Sequence, residues 1–440
     1  MEHVNSIIHA KWIIPVEPDQ TVYENHSMTI KNGRIHSILP TDETIKKYTS
    51  QEITTLSEHA LIPGFVNTHT HAAMSLFRGL ADDLPLMTWL NEHIWPAEAA
   101  WVNYDFVQDG TQLAIAEMLR SGTTCFSDMY FFPDEVARAA SEYGIRAAVG
   151  IILIDFPTIW AKDTDEYFQK GLDVREYYRN DPLISFTFAP HAPYTVSDEP
   201  LKRTKKLSEE LNLPIHIHVQ ETEDEIAQSM TQHNERPLKR LVKLDLLSPK
   251  LLAVHMTQLT STEIEQLAIN GCHVIHCPES NLKLASGFCP VVELMKANVN
   301  VALGTDSAAS NNDLCMLSEM RTAALLAKAV AKDAAALPAH SALRMATLNG
   351  AKALGLENEI GSLILGKAAD MVAINLGELE SQPVYDPISQ IVYTANRNQV
   401  TDVWVAGKTL LKNRTLTTMD ITEIKDKTIQ WKNKIAAACR

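Results

Sequence analysis

The stretch Leu61-Ile-Pro-Gly-Phe-Val-Asn-Thr-His-Thr-His71 decides how the rest of the chain is interpreted. An apolar run, Leu61 to Val66, leads into two histidines one residue apart. On a β-strand, residues i and i+2 point to the same side, so His69 and His71 can aim their imidazoles at one point beyond the strand end. Neutral imidazole is the commonest side-chain ligand for zinc-like metals. The stretch therefore predicts a metal site at a strand end, although an isolated His-x-His pair also occurs on ordinary protein surfaces.

Around this stretch, short apolar segments alternate with helical patterns from residue 61 to about residue 365. We predict eight strands: Ile62–Asn67, Thr123–Ser127, Arg146–Leu153, Ile184–Ala189, Ile215–Val219, Leu251–Val254, His273–His276 and Val299–Gly304. Strand and helix repeated eight times predict an α/β fold of the (β/α)8 TIM-barrel type. The alternative, a doubly wound sheet, usually needs a glycine-rich turn after its first strand, and none follows here.

The two ends of the chain have a different pattern. We predict short strands at Ile7–Ile14, His26–Ile30, Arg34–Leu39, Met371–Ile374, Ile391–Tyr393 and Val403–Val405. Asn32-Gly33 predicts a hairpin turn, because Asn-Gly tolerates the positive φ of a tight turn. We expect residues 1–60 and 366–420 to form one small β-sandwich domain beside a barrel domain of residues 61–365, since domain termini often lie close together. Residues 421–440 are predicted to form a terminal helix.

The composition of the 440-residue chain excludes several classes of function. It is 45% hydrophobic and 21% charged, as in ordinary globular proteins. The formal net charge of −15 argues against nucleic acid or an anionic membrane as a partner, because both favour basic patches. We find no signal-peptide pattern and no apolar run near the ~18 residues of a membrane span. The six cysteines form no Cys-x-x-Cys pair, which favours free thiols in a cytoplasmic protein.

Ionisable residues follow most of the predicted strands, at the end of a barrel where active sites form. They are His69, His71, His191, His216, His218, Glu221, His255, His276 and Asp306. A catalytic zinc keeps three or four protein ligands and one position for water. His69, His71, Asp306 and one of the two histidines His216 and His218 would supply three nitrogens and one oxygen. The spacing alone leaves the choice between His216 and His218 open.

Glu221 is the best candidate for a general acid and base. A carboxylate near a metal-activated water can accept its proton and deliver it to a substrate. The acids that follow, Glu223, Asp224 and Glu225, are interpreted as the solvated start of a helix, where negative charge is favoured.

Several motifs together give the chain a specific resemblance. They are Pro63-Gly-Phe-Val-Asn-Thr-His-Thr-His71, Trp95-Pro-Ala-Glu98, Ala189-Pro-His-Ala-Pro-Tyr194, His216-Ile-His-Val-Gln-Glu-Thr222, His276-Cys-Pro-Glu-Ser-Asn281 and Leu303-Gly-Thr-Asp-Ser307. Over nearly its whole length, the chain resembles the amidohydrolase superfamily and, within it, the 5′-methylthioadenosine/S-adenosylhomocysteine deaminases. The resemblance implies zinc-dependent hydrolytic deamination at C6 of an adenine nucleoside. It also implies a split β-domain and, on family grounds only, a homo-oligomer.

The same resemblance assigns roles to individual residues. It implies that the ligands of a single zinc are His69, His71, His218 and Asp306. Glu221 becomes the proton shuttle that also contacts the purine, His255 helps to polarise the attacking water, and Asp306 doubles as its base. Glu98 matches the carboxylate that holds the ribose 2′- and 3′-hydroxyls, and His191 matches a substrate contact. Arg146 stays unassigned.

Two other functions remain open at this point. Guanine deaminases and triazine chlorohydrolases keep the zinc motif and change the pocket, and a fold does not fix a substrate. Glu98 discriminates between a nucleoside deaminase and these enzymes, because a carboxylate that binds a diol is of use for a nucleoside but not for a free base. A non-catalytic metal-binding protein would not need Glu221 and His255 beside a full ligand set. The sequence does not rank methylthioadenosine, S-adenosylhomocysteine and adenosine as substrates.

Overall fold

Two eight-stranded sheets organise the chain in this computed structural model, which describes residues 1–438 and their side chains as far as residue 437. In the first sheet the strands are parallel and neighbour one another in chain order. Its strands are Phe65–Thr70, Thr123–Asp128, Arg146–Leu153, Ile184–Pro190, Ile215–Val219, Leu251–His255, His273–His276 and Asn300–Leu303. Helices connect these strands, so the predicted (β/α)8 barrel is confirmed.

The connecting segments are mainly helical and begin or end at recognisable signals. Asp163 caps one helix by accepting a hydrogen bond from the Glu166 N–H, and Gly144 at φ +84° ends another. Leaving aside the segment over the barrel mouth, the helices are Tyr104–Arg120, Pro133–Tyr143, Thr164–Tyr178, Asp198–Leu211, Glu223–His233, Pro237–Lys243, Ser261–Ile269, Pro278–Lys283, Val291–Lys296, Met316–Ala331, Ala339–Met345 and Leu348–Ala353.

The long segment after the first barrel strand runs over the mouth of the barrel. It is built from a 3-10 helix, a short α-helix, a π-helical turn and a further α-helix, which span Ala72–Phe77, Leu86–Thr88, Trp89–Ile94 and Trp95–Trp101. Wide turns of the π type are frequent at functional sites. We call residues 72–101 the mouth segment.

The barrel closes between its last and first strands through individual hydrogen bonds. Just beyond the last strand, the Asp306 N–H donates to the His69 carbonyl oxygen at 3.0 Å. The hydroxyl of Thr68 donates to the Leu303 carbonyl oxygen at 2.7 Å. The Thr305 N–H donates to Oδ1 of Asn67 at 3.0 Å. These bonds bring the residues after the eighth strand beside His69.

The second sheet joins the two ends of the chain. Its strands are Ser6–Ile13, Tyr23–Lys31, Arg34–Pro40, Glu52–Pro63, Met371–Asn375, Val400–Val405, Lys408–Lys412 and Thr415–Leu416. The Asn32-Gly33 hairpin turn has the positive φ values, 52° and 74°, that its sequence predicted. Ile35 and Trp404, from strands near opposite edges, belong to one buried cluster, so the sheet curls over its own small core. The amphipathic helix Ile421–Ala438 follows.

Two predicted strands were wrong in detail. Ile62–Asn67 combines the end of the terminal-sheet strand Glu52–Pro63 with the start of the first barrel strand at Phe65. The predicted strand Ile391–Tyr393 lies in the helix Pro387–Tyr393. Its apolar residues suit either structure, but the Asp386 side chain accepts from the Ile388 N–H and Pro387 occupies the first turn, which favours a helix start.

None of the described helices has the length and hydropathy needed to cross a membrane.

Candidate active site

The carboxyl ends of the first, fifth and eighth barrel strands bring four predicted ligands together. Nε2 of His69 lies 3.1 Å from Nε2 of His218. It also lies 3.3 Å from Oδ1 of Asp306, and Nε2 of His71 lies at the same distance from that oxygen. These donors fall into two close groups that share His69: one is His69, His71 and Asp306, and the other is His69, His218 and His255. Three imidazole nitrogens and one carboxylate oxygen thus lie in a chain of short contacts, and they are donor types that zinc takes. We call His69, His71, His218 and Asp306 the donor cluster.

Hydrogen bonds behind the donor cluster fix the orientation of its histidines. Nδ1 of His71 lies 2.5 Å from the Met129 carbonyl oxygen, and Nδ1 of His218 lies 2.7 Å from the His191 carbonyl oxygen. A carbonyl oxygen only accepts, so each Nδ1 carries the proton and each Nε2 lone pair faces the cluster.

His216 occupies a different position from His218. Its Nε2 lies 2.9 Å from Nδ1 of His69, on the side of that ring away from Asp306. Its own Nδ1 lies 3.4 Å from the Ser127 hydroxyl. The structure thus places His218 in the donor cluster and His216 behind it, where it orients the His69 ring.

Asp306 is held by bonds to both of its oxygens. The Ser307 N–H donates to Oδ1 at 2.8 Å, and the hydroxyls of Ser280 and Ser310 donate to Oδ2 at 2.7 and 3.0 Å. Asp306 itself has φ +61°, and His255, at the end of the sixth strand, has φ +72°. Left-handed backbone is costly for residues other than glycine and is concentrated at functional sites, where surrounding contacts impose it.

Gly304 allows the eighth strand to approach the first. A Cβ atom at this position would lie 2.7 Å from Cβ of His69 and 2.8 Å from its backbone nitrogen. Real Cβ atoms do not approach backbone so closely, so any side chain here would displace His69. The Gly-Thr-Asp motif therefore serves the donor cluster twice, through close packing at Gly304 and through the carboxylate of Asp306.

Burial and the charge of Asp306 set the pKa values of the donor cluster. Burial lowers the pKa of His69 to about 4, which leaves its imidazole neutral at physiological pH. Burial alone would raise the pKa of Asp306, but its contacts with His69 and His71 hold it well below its usual range. Burial alone would lower the pKa of His71, but the contact with Asp306 raises it. A set of imidazole ligands and an ionised carboxylate fits zinc by both charge and ligand type.

Glu221 and His255 lie beside the donor cluster. Oε2 of Glu221 is 3.6 Å from Nε2 of His255, and Oε1 accepts a hydrogen bond from the Ser286 hydroxyl at 3.3 Å. Nδ1 of His255 lies 2.9 Å from Oδ1 of Asn281, which orients its ring. Burial raises the pKa of Glu221, although the nearby His255 opposes the shift. A raised carboxyl pKa is what a proton shuttle at neutral pH needs.

The interpretation of Glu225 as a solvated helix-start residue was wrong. Its side chain is buried, and Oε2 accepts a hydrogen bond from the Glu221 N–H at 2.7 Å. Burial raises its pKa to about 7. Glu225 therefore fixes the backbone of Glu221 through this hydrogen bond. Glu223 and Asp224 are exposed, as expected.

The donor cluster opens into a cavity of about 600 Å³ whose walls are largely apolar. Glu98, on the mouth segment, accepts a hydrogen bond from the Tyr130 hydroxyl at 2.8 Å. Burial raises the pKa of Glu98 to about 7, although the Tyr130 bond opposes the shift. His191 also lines the cavity, and its Nδ1 lies 2.9 Å from the Thr195 hydroxyl. The cavity thus combines the donor cluster, Glu221, Glu98 and His191.

Comparisons with known proteins identify the family of this chain. Residues 60–410 match the amidohydrolase family. The chain belongs to the amidohydrolase family. The resemblance predicted from the motifs is therefore confirmed.

Two curated relatives of this amidohydrolase have named activities. The 5-methylthioadenosine/S-adenosylhomocysteine deaminase of Teredinibacter turnerae is 52% identical over 430 residues, which cover 98% of this chain and 97% of the relative. The 5′-deoxyadenosine deaminase of Methanothermobacter thermautotrophicus is 45% identical over 361 residues, or 82% of this chain and 84% of the relative.

Solved structures also resemble this amidohydrolase. An adenosine deaminase from Xanthomonas campestris with bound zinc has a TM-score of 0.98 and 51% identity, and the match covers 99% of each chain. The guanine deaminase of E. coli has a TM-score of 0.83 and 23% identity over 92% of this chain and 99% of the other, which shows a shared fold alone.

Sequence reasoning missed two residues of this amidohydrolase site. Asp128 ends the second barrel strand and accepts hydrogen bonds from the Ala72 N–H at 2.6 Å and the Thr70 hydroxyl at 3.0 Å. It thereby holds the residues on both sides of His71, one through its side chain and the other through its backbone. The rule applied to the other strand ends would have found it. Tyr130, two residues further on, had no comparable signal, because its role depends on where the mouth segment places Glu98.

Two residues singled out in the sequence lie away from the donor cluster. Arg146 starts the third strand at the opposite end of the barrel, where its Nε donates to Oδ2 of Asp370 at 2.6 Å. It joins the barrel to the terminal sheet and does not line the cavity. His276 ends the seventh strand but is buried outside the donor cluster, and burial lowers its pKa to about 3.

Proposed function

We propose that this amidohydrolase is a zinc-dependent deaminase of adenine nucleosides. It would convert substrates such as 5′-methylthioadenosine and S-adenosylhomocysteine to the inosine analogue and ammonia. The observation that carries the proposal is the opening of the donor cluster into the same cavity as Glu221 and Glu98. The names of the relatives described above support the same reaction.

We propose His69, His71, His218 and Asp306 as the ligands of one zinc ion. A zinc ion bound there supplies Lewis acidity, which lowers the pKa of the attacking water to near neutrality. The hydrogen bonds behind the histidines support this assignment, because partners of this kind fix the tautomer of metal-binding imidazoles.

Glu221 moves the protons in the proposed reaction. It accepts a proton from the attacking water and delivers it to N1 of the adenine ring as the water oxygen bonds to C6. The second water proton goes to the 6-amino group, the C6–N bond breaks, and ammonia leaves. Asp306 faces the attacking water and acts as a second base for it. His255, whose Nε2 lies 3.6 Å from Oε2 of Glu221, contacts the same water and orients it.

Glu98 and His191 position the nucleoside. The two hydroxyls of a ribose need two acceptors, and one carboxylate offers both. The Tyr130 bond occupies one side of Oε1 of Glu98 and leaves its other lone pairs for the sugar. His191 lies between the donor cluster and Tyr194, within reach of a bound base.

The proposed activity also implies a domain organisation and a cellular location. We propose residues 61–365 as the catalytic barrel domain, with residues 1–60 and 366–420 as the small β-domain. Among the described residues, five cysteines are buried and free, which supports a reducing, cytoplasmic location. Cys439 lies outside the described residues.

The test is ammonia release by the zinc-loaded protein from methylthioadenosine, S-adenosylhomocysteine, adenosine, adenine and guanine, measured in parallel. We expect turnover of nucleosides and none of the free bases. Turnover of a base alone would move the chain to the guanine deaminase or triazine hydrolase type of activity. Absence of turnover with every compound would refute the proposal.

A further inference from the structure

The cavity lining contains carboxylates and histidines but no lysine or arginine among the described residues. Its carboxylates come from Glu98, Glu221 and Asp306. The other walls are mainly aliphatic and aromatic. A carboxylate on a ligand would therefore find no lysine or arginine partner among the described residues that line the cavity away from the donor cluster.

The 5′ end of a bound nucleoside must face the apolar part of this lining. C6 of the base has to reach the donor cluster at the buried end, and Glu98 takes the ribose hydroxyls, so the 5′ carbon points toward the mouth. The wall in that direction runs from the end of the third barrel strand into the segment that follows it. Among its apolar side chains, Ile152 is 3% and Ile154 is 5% exposed, whereas Phe156 is 44% and Ile159 is 64% exposed. Among the described residues of this wall, Thr158 is the one polar residue that also lines the cavity.

Two lysines beside segments that line the cavity have other partners. Nζ of Lys283 lies 2.6 Å from Oδ1 of Asp82, in a neighbouring pocket that also contains Glu223 and Asp224. Nζ of Lys170 donates to the Trp160 carbonyl oxygen at 2.6 Å and also pairs with Glu166. Neither cation lines the cavity.

We propose that this site selects adenine nucleosides with a small, uncharged 5′ group, such as methylthio, over S-adenosylhomocysteine. The inference rests on the proposed function and specifies its substrate. A methylthio group is soft and apolar, and its sulfur makes favourable contacts with aromatic rings such as Phe156. The 5′ group of S-adenosylhomocysteine ends in a carboxylate and an ammonium on the same carbon, and both would lose hydration beside apolar walls whose described residues offer the carboxylate no lysine or arginine.

The first test compares kcat/KM of the zinc-loaded protein for methylthioadenosine, 5′-butylthioadenosine, adenosine and S-adenosylhomocysteine. The butylthio compound matches the reach of the homocysteine group but carries no charge. We expect kcat/KM for methylthioadenosine to exceed that for S-adenosylhomocysteine by about tenfold or more. This is the fold-change expected when one charged group has no partner at a partly solvated site. The butylthio compound should stay within a few-fold of methylthioadenosine.

Each outcome of this comparison has a definite meaning. Equal turnover of S-adenosylhomocysteine and methylthioadenosine would overturn the inference and leave the deaminase intact. A butylthio compound as poor as S-adenosylhomocysteine would overturn the charge argument, because length alone would explain the selection. Failure of all four compounds would instead refute the proposed function.

A matched pair of variants tests the charge argument by changing the protein instead of the substrate. Phe156 is half-exposed, so Phe156→Arg can place a guanidinium at the mouth without burying it. We expect Phe156→Arg to raise the ratio of kcat/KM for S-adenosylhomocysteine to that for methylthioadenosine by about tenfold, the scale of a charge-assisted bond. Phe156→Gln, which is polar but neutral, should leave that ratio near its wild-type value. An equal shift in both variants, or no shift in Phe156→Arg, would overturn the proposal.

Discussion

Replacing Glu98 by glutamine should weaken catalysis for substrates that carry a ribose diol. A carboxylate offers about four lone-pair positions, and Tyr130 uses one of them, so both hydroxyls can bond to charged oxygen. Hydrogen bonds to charged groups contribute about 1.5–3 kcal/mol each. Glutamine keeps one acceptor oxygen and replaces the other with a donor. The expected loss is about 2–3 kcal/mol, or about 30- to 150-fold in kcat/KM.

The assay is steady-state deamination of methylthioadenosine and of its 2′,3′-dideoxy analogue by wild type and Glu98→Gln. The analogue has no diol, so the two proteins should differ little with it. An equal loss for both compounds would mean that Glu98 acts on the structure of the mouth segment instead. A loss smaller than threefold for methylthioadenosine would refute the diol-binding role.

The pKa of Glu98 adds a pH dependence to this prediction. Burial raises that pKa to about 7, so the carboxylate is ionised above pH 7 and takes up a proton below it. Because only the ionised form offers two charged acceptors, the KM for methylthioadenosine should rise as the pH falls below 7. The KM of Glu98→Gln, and that of wild type for the dideoxy analogue, should lack this rise. A rise that persists in both would assign the titration to another group.

Three further substitutions test other parts of the structure. Glu221→Gln should keep zinc, measured by elemental analysis, and lose about 10²- to 10⁴-fold in kcat, the usual contribution of a general acid and base; full activity would refute its role as proton shuttle. His216→Ala should keep the fold by circular dichroism and bind zinc about 10- to 100-fold more weakly in a chelator competition, because it removes the partner of His69; unchanged affinity would show that His216 does not orient that ring. Arg146→Ala should lower the free energy of unfolding by about 3 kcal/mol in urea titrations, because it leaves the buried Asp370 unpaired; a stable protein with a changed kcat/KM would contradict its assignment to structure alone.

The barrel was predictable from sequence because its signal repeats. Parallel strands buried on both faces produce continuous apolar runs, and eight of them alternated with helical patterns. The terminal helix and the Asn32-Gly33 hairpin were also visible from local chemistry. The strand predicted at Ile391–Tyr393 failed because three apolar residues carry no periodicity, and the helix-start signal at Asp386 and Pro387 lay outside them.

The composition of the candidate site was predictable for a different reason. Ends of parallel strands share one rim, so ionisable residues at strand ends lie close together whatever the details of the fold. What spacing could not decide was orientation. His216 and His218 lie on the same strand two residues apart, and only the hydrogen bonds to His69 and to the His191 carbonyl separate them. Glu225 shows the same limit, because its burial depends on the barrel around it and not on its acidic neighbours.

The closure of the barrel has a consequence for how long the protein survives in a cell. His69 lies on the first strand and Asp306 just beyond the last, on either side of a junction held by single hydrogen bonds. An ion that binds both residues would cross-link the beginning and the end of the barrel. A metal ion that binds the folded state but not the unfolded state adds its binding free energy to the stability of the fold. Metal supply would then set proteolytic lifetime as well as activity, and starvation for the ion would clear the enzyme instead of storing it in an inactive form.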